Sequence, residues 1–169
     1  MDLGGDRGAC CGVLQLKPLF QFAGHSTLGE WIRDSRYAFP AFEMVHLLGL
    51  GVLLGAMLLF NARFFGLGMR RQRLSELAED FAPWTRLSLI VMALSGVPLF
   101  CSKALDLWDM DLANFTWKMS LIGFGVVWHY AVQVPLARRE DAARGRWAAV
   151  VSLTAWFGAA LAGLSLEFL

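Results

Sequence analysis

The chain has 169 residues, 57% of them hydrophobic and only 17% charged, where a soluble domain carries about 25% charged residues. This composition excludes an ordinary soluble domain and points to an integral membrane protein. The 15 basic and 14 acidic residues nearly cancel, to a net charge of +1, so the charge signal lies in where they sit.

Residues 1–39 read as an outer-face N-terminal segment. "GACCGVLQLKPLFQFAG" is mildly apolar but broken by Lys17 and Pro18, a poor match to a signal peptide. "STLGEWIRDSRYAFP" reads as a short helix capped by Ser26 or Thr27, with Glu30 three residues after Thr27, the spacing of a capping box. Trp31, Tyr37 and Phe39 suit the headgroup layer. The segment is therefore expected to lie as an interfacial helix on the outer surface.

Residues 40–169 are expected to form one transmembrane domain. A spanning helix needs roughly 20 mainly apolar residues. The first candidate is Pro40 to Phe60, and the second lies within Ala82 to Ala104. The third is Phe115 to Leu136, and the fourth is Trp147 to Phe168. The apolar runs are continuous rather than alternating, which argues against strands. Arg86, Lys103 and Lys118 sit near span ends, where long basic side chains reach the headgroups.

The loops set the orientation. Arg63, Arg70, Arg71 and Arg73 follow the first span, and Arg138, Arg139, Arg144 and Arg146 follow the third. The middle loop, "LDLWDMDLAN", has three aspartates and no base. The positive-inside rule puts both arginine loops in the cytoplasm of a bacterial inner membrane and both termini outside. The arginines then act as topology signals, and no nucleic-acid partner is expected. The predicted fold is an all-α, antiparallel four-helix transmembrane bundle with an N-terminal interfacial helix.

Cys10 and Cys11 are adjacent, and Cys101 is near the outer end of the second span. Without CxxC or CxxCH, neither a structural zinc site nor covalent c-type haem is indicated. No phosphate loop or dinucleotide fingerprint occurs.

The polar residues inside the spans carry the functional signal. "EMVHLLG" places Glu43 and His46 three residues apart in the first span, and ionisable residues at such depth mark function by default. At 1.5 Å per residue, His46 lies about 9 Å below Pro40 and Lys118 about 5 Å below Phe115. Glu43 and Met119 share that outer layer, whereas His129 lies about 21 Å below Phe115. Two histidines on one iron need their nitrogens about 4 Å apart. The two backbone depths differ by about 12 Å, so one haem bridged by His46 and His129 is disfavoured. His46 with Lys118, Met119, His25 or a residue of another subunit is the better pairing.

Blander readings stand beside these. His46 can hydrogen-bond a carbonyl or Glu43, His129 can belong to an aromatic belt with Trp128 and Tyr130, and Lys118 can be a snorkelling anchor. Met119 and the other methionines are ordinary apolar filler, and Cys101 is a packing residue. Gly51 and Gly55 form GxxxG, which suits close helix approach or the flat face of a porphyrin. Gly123, Gly125 and "SGVP" at Ser95 to Pro98 serve either way, and Pro98 is expected to kink the second span.

"FPAFEMVHLLGLGVLLGAMLLFNARFFGLG" resembles the first core helix of small bacterial membrane proteins of the HemJ-type and CopD-type group and their uncharacterised relatives. The shared features are the early histidine, His46, the glycines Gly49 to Gly55, and Arg63. "WKMSLIGFGVVWH" repeats the HemJ-type spacing of a lysine and a histidine eleven residues on, as Lys118 and His129. "YxFPxxExxHxxG", Tyr37 to Gly49, is similar to the uncharacterised members. The resemblance implies haem b on the early histidine and, for the HemJ type, oxidation of a tetrapyrrole.

The expected function is a haem b-binding, cytochrome-like membrane subunit. It would move electrons between an outer-face donor and a quinone or partner subunit, with other membrane subunits or further copies of itself as partners. His46 would be an axial ligand, Lys118 a second ligand or a counter-charge, and Glu43 an orienting or proton-carrying group. The alternatives are a tetrapyrrole-oxidising enzyme and a non-redox structural or copper-handling subunit using His46, Met119 and Cys101.

Overall fold

The computed structural model describes residues 17–68, 71–110 and 112–165. The readings made on Cys10, Cys11 and the first part of the N-terminal segment lie outside these. Residues 17–24 form helix α1. There follow α2 (Thr27–Asp34), α3 (Ala38–Phe64), α4 (Leu74–Met110) and α5 (Leu112–Trp128). A π-helical turn, His129–Gln133, leads into α6 (Val134–Arg138), and α7 is Ala142–Ser165. All regular structure among the described residues is helical.

Among the described residues, four stretches are long and apolar enough to cross a membrane: Ala38–Phe64, Leu74–Trp108, Leu112–Arg138 and Ala142–Leu164. Each contains or overlaps one predicted span, but the helices outrun the apolar runs. Helix α4 has 37 residues, or about 55 Å at 1.5 Å per residue, against a hydrocarbon thickness of about 30 Å. Hydropathy marks the part that suits hydrocarbon; Glu76, Glu79 and Asp80 continue the helix where hydropathy no longer favours it. Helix α4 also runs unbroken through Pro98. Leu48, Leu94, Val127 and Leu161 point outward, which suits lipid contact.

The chain divides into two compact units. The first comprises residues up to His46 together with Ala93–Leu112. Ser26 is the N-cap of α2, its hydroxyl accepting the Gly29 N–H at 3.2 Å and donating to the Ala23 carbonyl at 2.6 Å. A β-carbon on Gly29 would come within 2.7 Å of the Cys101 carbonyl oxygen, so glycine lets α2 lie this close to α4. Phe20 of α1 meets the rings of Phe100 and Trp108 at 5.1 and 5.4 Å. Arg33 closes the packing by donating to the carbonyls of Gly24 at 2.7 Å and Ser102 at 3.2 Å. Residues 17–34 are thus fastened to the last turns of α4.

The second unit comprises Leu47–Met92 and residues from Ala113 onward. Here α3, α4, α5 and α7 pack as a bundle. One layer joins Leu53 and Met57 to Trp156, with Leu89, Met92 and Val126 against them. Another joins Phe60, Phe64, Leu74, Leu77, Ala137 and Ala149. Glycines set the close contacts. Gly125 lies under the Trp156 ring, and Gly145 under Phe64. Gly51 and Gly55 behave differently, since a β-carbon on either meets nothing within 4 Å among the described residues. Their GxxxG spacing therefore does not serve close packing here.

Candidate functional sites

Two histidines sit on the spanning helices, and each unit holds one. In the first, His46 of α3 is half-buried, with its Nδ1 3.0 Å from the hydroxyl of the buried Ser95 on α4. Its ring lies over the next residue of that helix, because a β-carbon on Gly96 would sit 3.2 Å from His46 Cε1. "SGVP" therefore supplies one hydrogen-bonding residue and one small one to the same imidazole. Glu43 is half-buried one turn earlier on α3.

Lys118 and Met119 belong to the second unit. Lys118 is half-buried and lies along α7, where its Nζ would be 3.2 Å from a β-carbon on Gly163. Met119, on the next position of α5, is exposed.

His129 is more deeply set, at 6% exposure. Pro135 has no N–H to donate to the carbonyl four residues back, which loosens the α-helical pattern there. The backbone instead takes a π-turn, in which the Val134 N–H donates to the His129 carbonyl five residues earlier. This turns both His129 and Gln133 inward. The His129 ring makes edge contacts with Phe60 at 5.6 Å and Tyr130 at 5.0 Å.

The hydrogen bonds from here can be read outward from a fixed point. The Met57 carbonyl can only accept, so the nitrogen of Asn61 faces it, at 2.7 Å. The Asn61 oxygen therefore faces Gln133, whose nitrogen donates to it. The Gln133 oxygen is left facing His129 Nδ1, at 3.1 Å. That nitrogen must then carry the proton, and the lone pair lies on Nε2. A backbone carbonyl thus fixes the tautomer of a buried histidine through two amides.

Asn61 and Gln133, both 0% exposed, were not singled out by sequence reasoning. The available signal was simple: each is an amide inside an apolar run, and Gln133 precedes a proline by two residues. Two further buried polar atoms, Ser152 Oγ and Trp156 Nε1 on α7, make no hydrogen bond among the described residues. Nor do any three His, Cys, Asp or Glu side chains converge among the described residues.

A third feature is a surface groove of about 480 Å³, lined by Trp128, Pro135, Arg139, Arg144, Trp147 and Val151 among others.

The described residues thus define an all-helical protein with four helices long and apolar enough to cross a membrane and hydrogen-bonded histidines on two of them. The chain belongs to the DUF6644 family, described as a family of unknown function, whose model matches residues 19–169. No curated protein and no solved structure matches it.

Proposed function

We propose that this chain is a haem b-binding membrane subunit and that His46 binds the iron. The observation that carries this is the His46–Ser95 pair on two helices suited to the membrane. With Nδ1 held by Ser95, Nε2 is the nitrogen assigned to iron, the usual arrangement in which a second partner orients a ligating imidazole. Glycine at position 96 lets the ring take that place. The residues also fit haem in number, since it asks a protein for only one or two axial ligands. A zinc- or copper-type centre asks for three or four. When bound, the group would supply one-electron transfer. The chain's own part is to hold His46 in one orientation, with Glu43 as a nearby carboxyl for a proton.

His129 has the proton on Nδ1 that a ligand through Nε2 requires. Its ring, however, is packed between Phe60 and Tyr130, so we assign it to the buried hydrogen-bond chain. Lys118 and Met119, the outer-layer residues that the sequence suggests for a second ligand or a counter-charge, belong to the other compact unit.

In this reading the helices are antiparallel. The contacts that support it are Gly125 against Trp156 and Trp128 bonded to the Ala148 carbonyl, since rising numbers on α5 meet falling numbers on α7. Both arginine loops lie in the cytoplasm of a bacterial inner membrane, and α2 rests at the outer interface. Electrons would pass between an outer-face donor and a quinone or partner subunit.

The test is a reduced-minus-oxidised spectrum of the purified full chain. Haem b bands are expected, lost or turned high-spin in His46→Ala and weakened in Ser95→Ala, while His129→Ala keeps them. A wild-type protein without these bands, or a His46→Ala variant with the wild-type spectrum, overturns the proposal.

A further inference from the structure

The 480 Å³ groove is built by the turn between α6 and α7 and the helices on either side. Its size falls within the roughly 300–1,000 Å³ of ordinary ligand sites. Its lining pairs the small residues Ala131 and Ala148 with the indoles of Trp128 and Trp147. The Trp128 indole N–H is bonded to the Ala148 carbonyl at 3.0 Å, which holds that ring in place. Trp147 is 77% exposed. The interior is mainly apolar, and the charged residues that line it are Arg139 and Arg144.

The charge around this end is not balanced locally. Between Arg138 and Arg146 the sequence has four arginines, with Glu140 and Asp141 as the acids. Both acids are engaged by helix N-termini. Glu140 accepts from the backbone N–H groups of Leu74 and Ser75 and from the Ser75 hydroxyl, at the start of α4. Asp141 accepts the Arg144 N–H at 3.1 Å, at the start of α7. Its second oxygen is 3.7 Å from Arg144 Nε, a loose contact on an 80% exposed side chain that leaves the terminal guanidinium nitrogens able to bind elsewhere. Arg139 makes no ion pair among the described residues. Two guanidinium groups therefore stand over an apolar trough, with the nearby carboxylates occupied by backbone.

We propose that this groove binds an acidic phospholipid, its phosphate between Arg139 and Arg144 and an acyl chain along the trough beside Trp128, Pro135 and Val151. Guanidinium groups pair with phosphate through two parallel N–H bonds. Basic pockets between membrane helices are suited to anionic lipid headgroups. The walls belong to the Leu112–Arg138 and Ala142–Leu164 stretches, so a bilayer lipid would already be beside them. A neutral quinone would use the apolar trough but neither arginine.

The test uses the full chain in detergent, titrated with brominated phosphatidylglycerol or brominated phosphatidylcholine, with tryptophan fluorescence as the readout. Quenching is expected at a roughly tenfold lower concentration of phosphatidylglycerol. Arg139→Gln with Arg144→Gln should abolish that preference, whereas Arg71→Gln, in the other arginine loop, should keep it. Trp147→Phe should remove a large part of the quenched signal. Equal quenching by the two lipids overturns the proposal, as does a preference that survives the double substitution. Displacement of phosphatidylglycerol by a short-chain quinone would assign the groove to a different occupant and also overturn it.

Discussion

Glu140 accepts both the backbone N–H and the hydroxyl of Ser75, at 3.1 and 2.7 Å, across 65 residues of sequence. The carboxylate of one loop thus caps a helix that begins in another. Glu140 holds this position with φ at +53°, a left-handed conformation uncommon outside glycine. The Ser75 hydroxyl, followed by the backbone N–H groups and the charge of Arg73, pulls its pKa below the usual 4.5, against a smaller opposing effect of burial.

The sign of the pH effect follows. A carboxyl with a lower pKa when folded stabilises the fold above its unfolded pKa. That contribution fades as pH falls through the folded value. Glu140→Gln should therefore destabilise the fold in detergent at neutral pH by about 0.5 kcal/mol, the low end for a cap because the group is exposed, and so lower the melting temperature. The difference from wild type should close as pH drops below 4.5. A gap that is constant down to strong acid would show that charge at Glu140 is irrelevant.

Removing two links of the Asn61–Gln133–His129 chain together should cost less than the sum of removing each alone. Gln133→Leu leaves the Asn61 oxygen and His129 Nδ1–H without their partner, at about 1–2 kcal/mol. Asn61→Leu should cost a similar amount. The double variant should fall well short of the sum, since the two act in one network. Thermal unfolding of the three variants measures this, and strict additivity would mean that the chain is not a unit.

Glycine substitutions should separate inward from outward positions. A β-carbon at Gly145 would overlap the Phe64 ring, and Phe64 is itself 1% exposed. Gly145→Ala should destabilise by about 1–3 kcal/mol through overpacking. Gly51→Ala and Gly55→Ala face open space and should be neutral or stabilising, because alanine is the better helix former by about 1 kcal/mol. If Gly51→Ala instead disrupts an oligomer seen by cross-linking, the GxxxG face belongs to a contact between chains.

Orientation is open to labelling. Single cysteines replacing Arg71 or Arg144 should react with a membrane-impermeant reagent only from the cytoplasmic side. A cysteine at position 109 should react only from outside. The opposite pattern would invert the topology.

The spans were legible because hydropathy is a property of each segment alone, and the α2 cap was legible because Ser26 and its acceptor geometry are local. Helix ends were harder to read, since Glu76, Glu79 and Asp80 lower hydropathy without ending α4. His46 stood out as an ionisable residue in an apolar run, yet its partner Ser95 is 49 positions away and could not be read from spacing. Gln133 and Asn61 are 72 positions apart, and Glu140 caps a helix that begins 66 positions earlier. Pairings of this kind depend on which faces meet, and one sequence does not encode that in any local pattern. The glycines show the same boundary: GxxxG marks a smooth surface, but whether Gly51 or Gly125 finds a neighbour is decided by the other helices.

The π-turn at His129–Gln133 also sets a phase. A helix that inserts one residue into a turn advances everything after it by one position, about 100° around the axis. Arg138 and Arg139 come after this insertion, as does the start of the turn that places Glu140 against α4. Rewinding the same residues as an ordinary α-helix would swing Arg139 off the groove and Glu140 off its cap, whereas deleting one residue of the turn would leave both in phase. The two ends of this helix are therefore geared together, and a change of winding at one buried turn would be felt first at the Arg139 groove and the Glu140 cap.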